Sequence, residues 1–387
     1  MLKAVIKGLF LVLVILIGIF LIGELTIRYI QYRTKPPSKV RQPDELTHHS
    51  FRPNTSDVAR TPEWESKYKI NSLGLRDREY SREKPTNTFR ILMVGDSYIE
   101  GQGVQSEETV SKVLEKSLSE KIKDKKVEVL NAGFLSYSPL LEYMFLKHHG
   151  LQFQPDLVIL NFDQSDIIDD YIYEAELIKD QSGLPIGFSK PQVRASDYVE
   201  KDKLLPFVPL VIKKFLHQNS AFYLFLANST RAKKPIFYPE IGETQVTPGN
   251  PGKDKLITTR DKVEDYEGLW SLSKRNLKWL VELLNENDVK LLVNVYPYAH
   301  QVSATEWSEG RKAWFLEPKT YIHDRDFQTL ASFAHLEKVP FHSMASDFRS
   351  EQNHPLFFKV DGHWTKLGHQ VAARSLEKYL LDSGMVK

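Results

Sequence analysis

At 387 residues the chain exceeds one ordinary domain, yet it fits a single α/β unit with additions. Its 41% hydrophobic and 26% charged residues exclude a disordered chain, and 52 Lys+Arg against 50 Asp+Glu, without a long block of one sign, exclude a protein that tracks a phosphate backbone. The absence of cysteine removes disulfides, thiolate metal ligands and thiol nucleophiles, so any chemistry rests on oxygen and nitrogen groups.

The first element is the run Gly8 to Gly23, uncharged throughout, with Lys3 and Lys7 before it and Glu24 and Arg28 after it. Leu25 and Ile27 extend its apolar face, and the Lys7 stem reaches back along it, so residues 1–30 are expected to form an N-terminal transmembrane anchor. A cleaved signal peptide is the competing reading, but no A-x-A-like site follows the run. Arg28, Arg33, Lys35, Lys39 and Arg41 outnumber the preceding charges, which by the positive-inside rule alone would keep the body in the cytoplasm. Residues 31–87 are polar and contain prolines, and they read as a stalk and a lead-in segment.

The catalytic core is expected over residues 88–387. Phe89 to Val94 is a short apolar run ending in Gly95-Asp96-Ser97, the pattern of a buried parallel strand entering a tight turn. Helices are expected over 107–122 and 138–149, and strands over 127–131 and 156–162. The alternation breaks over about 171–265, too long for a simple loop, and is read as an insertion. Within it, Leu204 to Leu226 is apolar at helical spacing and is expected to pack on the core, and Ile241 to Thr259 reads as an exposed loop. Alternation resumes with a helix over 269–287, a strand over 289–296, a helix over 325–336, a strand near 339–342 and a last helix after Thr365. About five parallel strands with covering helices make a three-layer α/β/α sandwich.

Chemistry is expected where strands end. Open α/β sheets place their crevices at the carboxyl edge, and the small Gly95 lets the chain turn to present Ser97, although Asp96 and Ser97 also suit a helix cap. A serine nucleophile needs a base, and the base needs an orienting acceptor. Asp361-Gly362-His363 supplies both, and in an extended segment residues two apart point the same way. The pairs His48-His49 and His148-His149 lack partners at useful spacing and read as surface residues, so neither a metal nor a cofactor is expected.

The blocks ILMVGDSYIEGQGV, VLNAGF, LVILNFDQSD and VDGHWTKLGH resemble those of the GDSL/SGNH hydrolase family over about Arg90 to Leu381. The resemblance implies a flavodoxin-like SGNH fold. It also implies Ser97 as nucleophile, His363 as base, Asp361 as orienting acid, and an oxyanion hole from the N–H groups of Ser97 and Gly133. The third block departs from the family's Gly-x-Asn-Asp and leaves Ser165 where the oxyanion-binding Asn is expected, with Asp163 and Asp166 beside it as candidate pocket residues. The last block, D-x-H-W-T, resembles alginate-type O-acetyltransferases and membrane-tethered relatives, and its Trp364 is a candidate pocket wall or simply a buried aromatic. On this resemblance the expected activity is hydrolysis or transfer of an O-acyl group on a carbohydrate or envelope polymer. The expected place is outside the cytoplasmic membrane, beside a multi-pass acyltransferase partner. A non-catalytic binding or assembly protein and a broad lipid esterase are the rivals.

Overall fold

The computed structural model describes residues 2–33, 38–189, 266–314 and 316–386, together with isolated positions between 209 and 226 and at 258 and 259. The chain divides into two compact units, one of Met1–Pro36, Arg60–Pro62 and Val193–Ile241, the other of Pro37–Ala59, Glu63–Gln192 and Gly242–Lys387.

In the first unit, helix α1 (Leu2–Arg33) contains a stretch, Val5–Ile30, with a mean hydropathy of 3.1. It is long and apolar enough to cross a membrane, a test that a signal sequence also passes. Glu24 of α1 accepts from the Ser220 hydroxyl at 2.8 Å, from the Phe222 N–H at 3.0 Å and from Arg28 Nε at 2.7 Å. Gly23 makes room for the Phe222 ring, since a Cβ there would stand 2.8 Å from it. Ser220 and Phe222 of the apolar stretch 204–226 thus meet α1, whereas Ile212 and Phe215 of the same stretch are exposed. The expected loop 241–259 lies outside the described residues except at Thr258 and Thr259, which are helical.

The second unit opens with two small hairpins, β1 (Arg41–Asp44) with β2 (His48–Phe51), and β3 (Ser56–Arg60) with β4 (Glu65–Lys69). Residues 38–87 thus carry four short strands. The strand β4 alternates exposed and buried positions, but polar composition and Pro43 make the segment read as linker.

The main sheet is built from β5 (Thr88–Gly95), β6 (Lys126–Gly133) and β7 (Leu157–Phe162). After these, β8 (Leu177–Lys179) and β9 (Pro185–Phe188) form a separate antiparallel pair. The sheet is completed by β10 (Lys290–Val295) and β11 (Phe341–Ser343), giving the order β11-β10-β7-β5-β6, parallel throughout. From β5 the chain goes to β6 on one side and then returns to β7 on the other. The carboxyl end of β5 is thus a switch point, where diverging connections leave a crevice.

Helices cover both faces. They are α2 (Ser97–Glu100), α3 (Val110–Lys121), α4 (Pro139–His148), α5 (Asp166–Glu174), α6 (Tyr266–Glu286), the short α7 (Ala299–Val302) and α8 (Gly310–Ala313), then α9 (Arg325–Leu336), α10 (Ala345–Ser350) and α11 (Lys366–Asp382). The sheet's alternation assigns each face a core. Leu92, Val94, Leu130 and Val158 pack with Leu140 and Met144 of α4 and Leu277 and Leu280 of α6, while Ile91, Met93, Val129 and Ile159 pack with Leu114 and Leu118 of α3 and Ala372 and Leu376 of α11. All of these are buried, each large one adding roughly 1.5–3 kcal/mol to the driving force for folding. The three-layer α/β/α sandwich read from the sequence is the architecture found.

Candidate active site

Ser97 opens α2 directly after β5. Asp96 caps this helix by accepting the Tyr98 N–H at 2.9 Å, and Gly101, at φ 84°, closes it with its N–H on the Ser97 and Tyr98 carbonyls. The turn is tight because two glycines allow it. A Cβ on Gly95 would lie 2.4 Å from Ile99 Cγ1, and one on Gly133 would lie 2.1 Å from the Glu100 nitrogen. The end of β6 therefore packs directly against the backbone of the serine-bearing turn. Gly133→Ala is expected to push that turn aside and to lower stability by about 1–3 kcal/mol or more. A thermal melt unchanged from wild type would show that the contact is unimportant.

His363 arrives from the other end of the chain. Its Nε2 lies 2.8 Å from Ser97 Oγ, and its Nδ1 is bonded to Asp361 Oδ1. The pair Asp361 and His363 was expected on an extended segment. The backbone instead turns at Gly362, whose φ of 87° is in the left-handed region that glycine adopts freely, and the turn closes with the Gly362 N–H on Phe358 O and the Phe358 N–H on His363 O. A side chain on Gly362 would also meet Trp307 Nε1 at 2.8 Å. Tyr98 flanks the imidazole, ring centroids 4.7 Å apart, and its hydroxyl donates to Gly362 O at 2.9 Å.

Burial opposes charge on His363, but the Asp361 carboxylate beside it outweighs that, and the imidazole pKa is raised above its ordinary 6.5. Burial likewise works against the Asp361 carboxylate, yet His363 and its hydrogen bonds hold the acid below the usual range. Asp361 is thus a carboxylate acceptor, and a neutral His363 is left with Nδ1–H on that carboxylate and Nε2 free to take the serine proton.

The other expected donors are placed differently. The Gly133 N–H donates to Asn131 Oδ1 at 3.0 Å, inside its own strand end. The Ser165 hydroxyl and N–H both donate to Asp163 Oδ1 at 2.6 Å, a local turn at the start of α5. Asp163 and Asp166 are buried, and the Asp163 N–H donates to Asp166 Oδ2 at 3.1 Å. Burial, and then the Asp163 charge, push Asp166 and Asp96 well above the ordinary carboxylate range. Trp364 is fully buried among Tyr98, Tyr296 and Phe348.

The expectation of surface histidines fails at His49. That residue is buried, with Nε2 on the Leu135 carbonyl at 2.7 Å, and burial pushes its pKa down to about 3. Among the described residues no group of three or more His, Cys, Asp or Glu is placed to hold a metal ion.

Several neighbours of the site carried no signal in the sequence. Tyr296 donates its hydroxyl to Asp96 Oδ1 at 2.7 Å. Gln102 Nε2 and Trp64 Nε1 each reach Asp361 Oδ2 at 3.3 Å. Gln102 lies in the serine block, but Trp64 stands 297 residues from its partner, a separation no spacing rule covers.

Among known families, the one described as "ALGX: SGNH hydrolase-like domain, acetyltransferase AlgX" matches residues 257–385, a stretch that contains Asp361 and His363 and not Ser97. No curated protein matches the chain. Solved structures with a similar course include an acetyl xylan esterase, AlAXEase, at 10% identity and a TM-score of 0.39, covering 76% of this chain and 100% of that one. A catalytic mutant of an acetylxylan esterase from Geobacillus stearothermophilus has 11% identity and a TM-score of 0.37, covering 75% and 93%. An alpha/beta hydrolase enzyme from the metagenome of Lake Arreo, Spain, has 12% identity and a TM-score of 0.36, covering 77% and 96%. Over residues 257–385, about a third of the chain, the sequence is thus similar to an SGNH hydrolase-like domain, and the parallel sheet with a serine at its switch point accompanies that likeness.

Proposed function

We propose that the chain is a membrane-anchored serine esterase or O-acyltransferase acting on O-acyl groups of a carbohydrate or envelope polymer. The observation that carries the proposal is the 2.8 Å contact of Ser97 Oγ with His363 Nε2, with Asp361 on the far ring nitrogen. In the proposed reaction Ser97 Oγ attacks the acyl carbon while its proton passes to His363 Nε2. The tetrahedral intermediate collapses, the alcohol leaves with that proton, and the acyl group stays on Ser97. Water or a sugar hydroxyl then gives its proton to His363 Nε2 and attacks the acyl carbon; the bond to Ser97 Oγ breaks, Oγ takes the proton back from His363, and the carboxylic acid or the new ester leaves. With Gly133 and Ser165 engaged elsewhere, the Ser97 N–H is the one donor left from the expected oxyanion hole.

Acyl transfer is supported by the acetyltransferase description of the family that matches residues 257–385, and a bilayer attachment by the length of α1. The proposed placement is outside the cytoplasmic membrane, and a reporter fused after Lys387 that signals from the cytoplasm would overturn it. A multi-pass acyl-donor partner belongs to the same proposal and is tested by co-isolation from native membranes. The activity itself is tested with the full-length chain in detergent, a chromogenic acetyl ester and added sugar acceptors. Faster turnover with acceptor marks a transferase. Because a neutral His363 is the base and its pKa is raised, the acid limb of kcat/KM is expected to have its midpoint above 6.5. A midpoint at or below that value would contradict the assignment.

A second reading, a non-catalytic SGNH-fold binding protein, is favoured by the engagement of the Gly133 and Ser165 donors away from Ser97. Binding of an acylated polymer without turnover would favour it.

A further inference from the structure

Residues 63–76 grip both halves of the site. At one end, Trp64 Nε1 donates to Asp361 Oδ2, the oxygen that His363 leaves unused. The Glu63 carboxylate accepts the N–H groups of Val360 at 3.0 Å and Asp361 at 2.8 Å, fixing the backbone just ahead of the Gly362 turn. At the other end, the buried Arg76 guanidinium donates to the carbonyls of Glu100 and Gly101 at 2.8 and 2.7 Å, where α2 stops. It also donates to Val104 O and to Ser66 Oγ, and the Ser66 hydroxyl in turn donates to Val104 O at 2.6 Å. The last carbonyls of α2 have no partner within so short a helix, so a buried cation there completes it.

Resting on the serine-hydrolase reading, we infer that this segment is a positioning strap for the triad, with Trp64 holding the outer oxygen of Asp361 so that the inner one faces His363. Trp64 touches no reacting atom. It acts through Asp361: its N–H spreads the carboxylate charge away from the imidazole and fixes the carboxylate plane. The titratable groups around His363 are Asp361, Asp96, Glu100 and His369, and Trp64 donates to the first of them.

The test is Trp64→Phe in the full-length chain, which removes the N–H and keeps a ring beside Phe358. The expected result is a drop in kcat of about tenfold, the size of one hydrogen bond to a charged group, with KM unchanged. The acid limb of kcat/KM should also move to higher pH, because the unshared carboxylate charge holds the imidazolium more strongly. A histidine-selective ¹⁵N NMR titration should report the same rise in the His363 pKa, and it reads the coupling whether or not the chain turns over an ester. A variant with wild-type kcat and an unmoved acid limb overturns the inference. So does an unmoved His363 titration, including in a chain whose wild type proves inactive, the outcome that would sink the hydrolase reading itself. A lowered melting temperature with an unmoved titration marks Trp64 as packing only and overturns it too.

Discussion

Ser97→Ala is expected to lower the turnover of an acetyl ester by about 10⁴-fold or more while leaving the fold intact. Among the described residues Ser97 Oγ makes one hydrogen bond, to His363, and the methyl of alanine fits the same turn without touching the Asp96 cap, which uses the Tyr98 N–H and the Tyr296 hydroxyl. Nothing that holds α2 is removed. The measurement is kcat at matched folding, judged by the thermal melt. Retained turnover would mean that another group attacks the ester, and a collapsed melt would mean that the hydroxyl is structural.

The second large effect is Asp361→Asn, expected to cost about 10³- to 10⁴-fold in kcat. The reason lies in the surroundings of the carboxylate. Trp64 Nε1 and Gln102 Nε2 donate toward Oδ2, so an amide in this place turns its oxygen to those donors and its NH₂ toward His363. Nδ1 must then accept, the ring proton moves to Nε2, and the base can no longer take a proton from Ser97. Leaving both half-buried donors facing an NH₂ would cost more, because each would lose its acceptor at Oδ2. Activity within tenfold of wild type would show that Asp361 does not set the tautomer.

Much of this arrangement was legible in the sequence because it is local. Apolar runs of strand length ending at Gly95 and Gly133, and helices with a clear polar face, mark the sheet strand by strand. Ser97 was read from its position at the end of β5, and His363 from the Asp361-Gly362-His363 run just ahead of the last helix. Three things were not. The D-G-H turn works through the left-handed Gly362 rather than by strand alternation, and a single glycine between two polar residues does not say which. Gly133 was expected to serve through its N–H, whereas its lack of a Cβ is what the Glu100 backbone requires. The segment 38–87 looks like linker because its partners, Glu100 and the 360–363 turn, are remote in sequence and its own strands are short and polar.

The most direct measurement is mass spectrometry of the full-length chain after treatment with a serine-reactive fluorophosphonate. The account predicts one adduct, on Ser97 in the tryptic peptide Ile91–Lys112, formed fully in wild type, slowly in Asp361→Asn and not at all in Ser97→Ala. A folded wild-type chain that takes no label, or takes it on another serine, would contradict the claim that Ser97 is an activated nucleophile.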